Sequence, residues 1–387
     1  MPGKKNILPF FFIPLIFVSC SKFLPKSDSP LEIEGLSYEK SLSLKYAKQL
    51  KIDAYNSAAF LVTVADSDRY LLLPKESPLP KNLPPEITII RTPVTNAYLC
   101  ASSAMALWSR LGSLDSIRFS AIQKKDWLLD EAKEAMEEGR ILYAGKYSAP
   151  DFELLLKEKC SLSIESTMIY HSPQIKEKLE ALGIPVFVDK SSYEENPLGR
   201  MEWIKLYGLM CGKLDVSEDF FQGQIAKIEN RDYAKKASSQ SELISAPNSS
   251  KTVAFFYITS NGLVVIRGSE DYIVKMIEMA GGKYAFKNTR KSSSPSVTVS
   301  MEQFYAQCAN ADILIYNSSI DNTLASRKDL LEKSPLFADF KALQSGDIWM
   351  TGKYLYQATD RIGDMILDLR AIVSGEEREM IFLKRVE

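Results

Sequence analysis

Two segments decide how this chain reads: APDFELLLKEKCSLSIES at residues 149–166 and TVSMEQFYAQCANADILIYN at residues 298–317. Each opens a helix whose first turn carries a glutamate, Glu153 or Glu302, and each runs from that helix into an apolar strand. Acidic side chains favour the positive end of any helix, which accounts for either glutamate alone. It accounts less well for both in the same place of two units about 150 residues apart. The repetition predicts two related lobes.

The surrounding sequence agrees. SIRFSAI, ILYAG, LSIEST and IPVFVD alternate with helical stretches such as WLLDEAKEAMEEGR and SPQIKEKLEALG. Further on, TVAFFYI, GLVVIRG, ADILIYN and DIWMT alternate with DYIVKMIEMAGG, LFADFKALQSG and a closing helix through DRIGDMILDLRAIVSG. Short apolar strands between amphipathic helices indicate parallel-sheet βαβ units. Between the two halves, PLGRMEWIKLYGLMCG begins with Pro197 at a helix-start position. After a break at Gly212–Lys213 the long helix DVSEDFFQGQIAKIENRDYAKKA follows, with Val216, Phe220, Phe221, Ile225 and Ile228 as its apolar stripe. The expected fold is α/β: two Rossmann-like lobes joined by a long rigid α-helix, with a ligand cleft between them. A helical connection limits lobe motion, so closure on binding is expected to be small.

The expected organisation is a signal segment at 1–19, a tether at 20–35, an N-terminal strand pair and Pro-rich linker at 36–85, a first α/β lobe at 86–196, connecting helices at 197–238 and a second lobe at 239–387. In the first lobe, EITIIRT is expected as the opening strand, with Thr95 or Asn96 capping a helix YLCASSAMALWSRLG. At the amino end, Lys4 and Lys5 precede an apolar run from Ile7 to Val18, too short to span a bilayer comfortably but suited to a signal sequence. Ser19 then precedes Cys20, the pattern of a bacterial lipoprotein signal whose cleavage leaves Cys20 acylated. An ordinary secretory signal cut near Ser19 is the alternative, and either exports the chain. No second long apolar run follows. The protein is therefore expected on the periplasmic or extracellular face of the cell membrane, held by its lipid.

Composition excludes several functions. Without Lys4 and Lys5, the 48 basic side chains become 46 against 49 acidic ones, and no basic cluster invites nucleic acid. Cys100, Cys160, Cys211 and Cys308 are far apart, without zinc spacing, and read as buried free thiols. His171 is the only histidine, which argues against a His-based metal cluster or Ser-His-Asp catalysis. No nucleophile-elbow, phosphate-loop or zinc-protease motif occurs, so no catalytic residue is assigned.

With these segments in view, the chain resembles the substrate-binding lipoproteins of iron-complex and cobalamin ABC importers, the helical-backbone type of periplasmic binding protein. The resemblance runs from about Glu86 to Gly375; ANADILIY, GLVVIRGSEDYIVKMIEMAGG and PLFADFKALQSGDIW carry it most strongly. The family often has Lys-Pro-Asp where this chain has Lys159-Cys160-Ser161. The resemblance implies that Glu153 and Glu302 engage arginines on the two permease subunits, that ATPase subunits complete the importer, and that Tyr147 contacts the ligand. It also implies no resident cofactor, a cargo such as a ferric siderophore, haem or cobalamin, and a monomeric protein. A surface lipoprotein acting as a ligand sensor or binding a partner protein, without transport, is the alternative.

Ligands of open α/β sheets lie outside the carboxyl ends of the strands. In the first lobe this selects Thr95, Asn96, Tyr147, Ser166, Tyr170 and His171. In the second it selects Tyr257, Arg267, Ser269, Asn317 and Tyr354. Tyr170 and Tyr257 read equally well as core residues with a satisfied hydroxyl. His171, before Ser172-Pro173, reads as a capping or solvent-facing residue rather than a metal ligand. Arg267, beside Gly268 at a strand-to-helix turn, is preferred to Arg200 as the anion contact.

Overall fold

The computed structural model describes residues 29–238, 250–287 and 295–387, so Cys20, the signal segment and the first part of the tether lie outside the described residues. Where the tether was expected to continue to residue 35, the chain is already packed. Ile33 is buried and bridged to Leu36, and the Tyr55 hydroxyl donates to the carbonyl of Leu31 at 2.5 Å. No helix of the described residues is long and apolar enough to cross a membrane.

The stretch expected as a strand pair is a five-stranded sheet. Tyr38–Ser41, Leu50–Tyr55, Ala59–Val64 and Asp68–Pro74 form an antiparallel meander, and Ile87–Thr92 adds in parallel to the last of them. The Pro-rich segment after Pro74 is thus the crossover that a parallel addition requires, not a linker between domains. Ile87–Thr92, expected to open the first lobe, belongs to this sheet.

The bend at 45–49, inside what reads as a continuous alternating strand, has an electrostatic cause. The backbone N–H groups of Lys45, Tyr46 and Ala47 donate to the Glu202 carboxylate at 2.7–3.0 Å. Those of Lys48 and Gln49 donate to Glu194 at 2.7 and 2.8 Å. Both glutamates are buried in the first lobe. The Lys205 ammonium closes on Glu202 at 3.0 Å, and the Trp203 indole N–H donates to Glu194 at 3.0 Å. Buried carboxylates persist only when so satisfied.

The first lobe's sheet runs in the order Val186–Asp189, Leu162–Ser166, Ala97–Leu99, Ile117–Ser120, Leu142–Tyr143, all parallel. The second runs Ile348–Thr351, Ile313–Tyr316, Thr252–Ile258, Val264–Arg267, Ser296–Val299, with Leu383–Arg385 added beside the first of these. Its three strands from Ile348–Thr351 to Thr252–Ile258 are parallel, while Val264–Arg267 and Ser296–Val299 run antiparallel to their neighbours. Position by position, the five-strand order is the same in both lobes. The expected helix over 98–112 is corrected: residues 97–99 are the central strand, and the helix begins only at Met105. Tertiary pairing on both sides of Ala97–Leu99 overrides the helical propensity of an Ala-rich stretch.

Leu214–Ser238 joins the lobes. Phe221, Ile225 and Ile228 are buried in one core that continues from the N-terminal sheet through the first lobe's inner face to Ile273, Met276 and Ile366 of the second. Arg370 donates to the carbonyl of Ile228 at 3.0 Å, and Gly363 lies so close to Gln224 that a Cβ there would meet its oxygen at 2.8 Å. At its start, Gly208 packs on Ser217, where an added Cβ would stand 2.5 Å from the hydroxyl. The lobes also touch directly: Arg110 meets Asp360 at 2.6 Å, and Gln357 bonds the carbonyl of Asp126 and the N–H of Leu128.

Glu165, on the strand Leu162–Ser166, is fully buried. Ser163 donates to one carboxyl oxygen at 2.7 Å, and the other has no partner. Burial pushes this carboxyl up to about 7, with Ser163 and Cys100 opposing. Burial likewise raises the thiols, Cys160 and Cys308 to about 12. All four described cysteines are free.

Two outcomes are expected. Glu202→Ala strands three backbone N–H groups, that of Ala47 buried, and the Lys205 ammonium, and should lower stability in urea unfolding by roughly 3 kcal/mol. Because native Glu165 holds its proton to higher pH than the unfolded chain does, stability should fall as pH rises from about 4.5 towards 7 and level off above. Glu165→Gln should flatten that slope and be more stable at neutral pH by about 2–3 kcal/mol, read from unfolding curves at pH 5 and 8.

Candidate functional site

Tyr272 of the second lobe lies under the Arg200 guanidinium of the first, 3.5 Å from carbon to ring centroid. This contact places the seam. Arg200 is fixed by donating to the carbonyls of Glu194 at 3.0 Å and Ser192 at 2.5 Å. Arg267 stands across from it, its guanidinium on the Tyr356 hydroxyl and 3.8 Å from the carboxylate of Asp271. Asp271 caps the helix Tyr272–Met279, accepting from the N–H of Ile273. Burial raises its carboxyl's pKa, while both arginines work against that rise. Both guanidinium groups act on the buried Asp271 carboxylate, and Arg200 also lies within electrostatic reach of Glu194 and Asp189.

The strand Ile313–Tyr316 ends at the same place. Asn317 donates its amide to the Tyr356 hydroxyl at 2.8 Å, but its buried amide oxygen has no partner, nor has the buried hydroxyl of Ser318. Buried polar atoms without partners are uncommon and expensive, and here they lie at the carboxyl end of a central strand. Around them the strand ends present apolar side chains to solvent. Met168, Tyr170 and Tyr193 (59% exposed) follow the first lobe's strands; Leu263 and Ile320 (54% exposed) follow the second's. Such a set binds a ligand with an apolar body and acidic oxygens.

The structure sorts the sequence candidates. Arg267, Asn317 and the turn containing half-buried Ser269 come together at the seam. Ser166 ends its strand level with Asp189, and Tyr170 and exposed His171 lie in the turn after it. Tyr147 is half-buried against the first lobe's outer core, in the turn between Gly145–Lys146 and Ala149–Pro150. Tyr257 is likewise half-buried, against the second lobe's outer core. Thr95 and Asn96 precede the strand Ala97–Leu99 and so lie at its amino end, away from the seam; Asn96 donates to the carbonyl of Glu158 at 3.3 Å. The error follows from reading Ile87–Thr92 as the lobe's first strand. Tyr354 also departs: its hydroxyl donates to the carbonyl of Ile381 at 2.5 Å and its ring packs on Phe382, leaving Tyr356 at the seam. Arg200, set second to Arg267 on sequence, is its partner. Met168, Tyr193, Leu263 and Ile320 were missed; Tyr193, a large ring inside the polar run KSSYEEN, was the readable signal.

Glu153 and Glu302 are both exposed, each the second residue of its helix. Asp151 caps Phe152–Lys157 and Ser300 caps Met301–Cys308. Each helix leads from its sheet's outer edge to the strand beyond the central one, so the two positions are topologically equivalent. The Ser300 hydroxyl holds the Glu302 carboxyl below the ordinary range.

Among the described residues no three His, Cys, Asp or Glu side chains converge as a metal site. A groove of about 670 Å³ lined by Lys251, Trp349, Glu376, Arg378 and Arg385 lies at the amino ends of the second lobe's strands, away from the unpartnered Asn317 and Ser318 atoms at the carboxyl end. The strand-end seam is the better candidate on its chemistry.

Comparison with known proteins bears on the fold. An uncharacterized lipoprotein of Methanocaldococcus jannaschii is 24% identical, across 87% of this chain and 84% of its own length. A second uncharacterized lipoprotein of that organism is 25% identical over 60% of this chain and 58% of its own. Among solved structures, a periplasmic heme binding protein from Pseudomonas aeruginosa superposes with a TM-score of 0.58 at 15% identity, covering 76% of this chain and 98% of that one. A periplasmic binding protein from Veillonella parvula gives 0.57 at 15% identity, covering 74% and 93%. Residues 107–355 match the family described as periplasmic binding protein. Over most of its length, then, this chain is a member of the periplasmic binding protein family, whose members bind solutes and are not enzymes.

Proposed function

We propose that this protein is the substrate-binding component of an ABC importer, capturing an iron complex (a ferric siderophore or haem) or cobalamin at the seam and delivering it to a membrane permease. The observation that carries the reading is the seam itself. Arg200 and Arg267 supply charge for acidic oxygens, and the unpartnered Asn317 oxygen and Ser318 hydroxyl supply polar contacts. The exposed rings and aliphatic groups at the strand ends suit a broad apolar face. Structural neighbours include heme and catecholate-siderophore binding proteins, consistent with a chelate as cargo. Cys20 would carry the lipid anchor, in keeping with the lipoprotein relatives. The cargo is a substrate, and no resident cofactor is invoked.

Glu153 and Glu302 are the docking points for the two permease subunits. Each exposed ion pair adds about 1 kcal/mol or less, but matched charges fix orientation and speed encounter. The connecting helix, held to both lobes, keeps the two carboxylates at a constant separation.

Two measurements test this. Titration with hemin, a ferric trihydroxamate and cyanocobalamin should find one tight ligand, and Arg267→Gln should weaken it about tenfold or more, the scale of a lost charge-assisted hydrogen bond. No binding, or unchanged affinity in the variant, would remove the seam from consideration. In whole cells, Glu153→Ala and Glu302→Ala should each reduce uptake while leaving ligand affinity intact. Lost affinity would defeat the docking role, and unchanged uptake in both would favour a sensor.

A further inference from the structure

The N-terminal sheet ends at Thr92, before the family match begins at residue 107. It lies outside the matched span but is not loosely attached. Besides the bonds to Glu194 and Glu202, its Tyr70 hydroxyl accepts from the N–H of Val188, and the Tyr70 ring packs on Phe187 with centroids 4.7 Å apart. The sheet therefore fixes anything it carries relative to the first lobe.

What it carries to the strand ends is Asp68. The tight turn after Val64, with Ala65 and Asp66 at positive φ, delivers Asp68 to the turns after two of the first lobe's strands. There the Lys190 ammonium meets its carboxylate at 2.8 Å and the Tyr170 hydroxyl donates to the same oxygen at 3.2 Å. Ser67 donates to the other oxygen at 2.9 Å. The Lys190 ammonium is also 5.6 Å from the centre of the Tyr170 ring. Without Asp68, the hydroxyl of Tyr170, a half-exposed ring on a short 3₁₀ turn, would keep only the Lys190 ammonium as a tertiary partner, and Lys190 would lose its counter-ion.

We infer that Asp68 is a positioning residue of the ligand site: from the N-terminal sheet it helps hold the Tyr170 ring in place as an aromatic wall and neutralises Lys190, so that the rim on this side reads the apolar face of a ligand rather than its charge. The inference rests on the reading of the strand ends as the ligand site. Burial works against ionisation of Asp68, but Lys190, Ser67 and Tyr170 outweigh it and keep the carboxyl below its ordinary range, so the anchor stays charged across physiological pH.

A double-mutant cycle separates positioning from a general structural effect. The probe is whichever of hemin, a ferric trihydroxamate and cyanocobalamin binds the parent protein most tightly. Asp68→Ala and Tyr170→Ala are each expected to weaken it five- to tenfold, and the double variant to bind no more weakly than Tyr170→Ala alone, since Asp68 acts through that ring. Asp68→Asn, which keeps the side chain's shape, provides the same comparison if the alanine variant does not fold. Unchanged or tighter binding on loss of Asp68, or losses that multiply in the double variant, would overturn the inference while leaving the ligand site standing. If no probe binds the parent protein, the ligand-site reading falls, and this inference with it.

Discussion

One shared apolar core constrains everything else in this molecule. Two-lobed proteins can keep separate cores and swing about a flexible strand linker. Here the buried stripe of the connecting helix belongs to the same core as the inner faces of both lobes and of the N-terminal sheet. Rotating one lobe against the other would expose that stripe to water, at about 25 cal/mol for each square ångström of apolar surface. Polar contacts reinforce the lock at both ends, from Lys213 on the carbonyls of Leu111 and Gly112 to Arg370 on Ile228. The seam is thus held nearly preformed, and binding there spends little energy on rearrangement.

A preformed seam also explains how it can hold uncomfortable chemistry. Two guanidinium groups close enough to repel each other, and a buried amide oxygen without a donor, are not arrangements a relaxed core would select. Ring packing holds the two arginines there, Arg200 over Tyr272 and Arg267 near Phe255. A ligand bearing acidic oxygens and a hydroxyl or amide donor would resolve these deficits together.

Periodicity exposed the lobes, the connecting helix and the paired glutamates, because βα alternation and an apolar stripe are local patterns that survive folding. The N-terminal sheet was misjudged for a nonlocal reason. Its bend at 45–49 depends on Glu194 and Glu202, some 145 to 157 residues away, and no local pattern announces such a bond. The same holds for the short strand Ala97–Leu99, helical by composition but extended because strands pair with it on both sides. Misplacing that strand carried Thr95 and Asn96 to the wrong end of the sheet. At the seam, Asn317 was legible because it follows a clear parallel strand, whereas Arg267 ends a strand that runs antiparallel to its neighbours and reaches the seam through its side chain's contact with Tyr356. Arg200 was undervalued because its partner, Tyr272, comes from the other lobe.

The four free sulfhydryls among the described residues bear on how such a chain survives outside the cytoplasm. Only the ionised form attacks disulfides or oxidants. With Cys160 and Cys308 at about 12, the reactive fraction near neutrality is on the order of one in a hundred thousand. A folded molecule of this kind can cross an oxidising compartment without pairing wrongly, and its exposure to such damage is confined to the interval before its core closes.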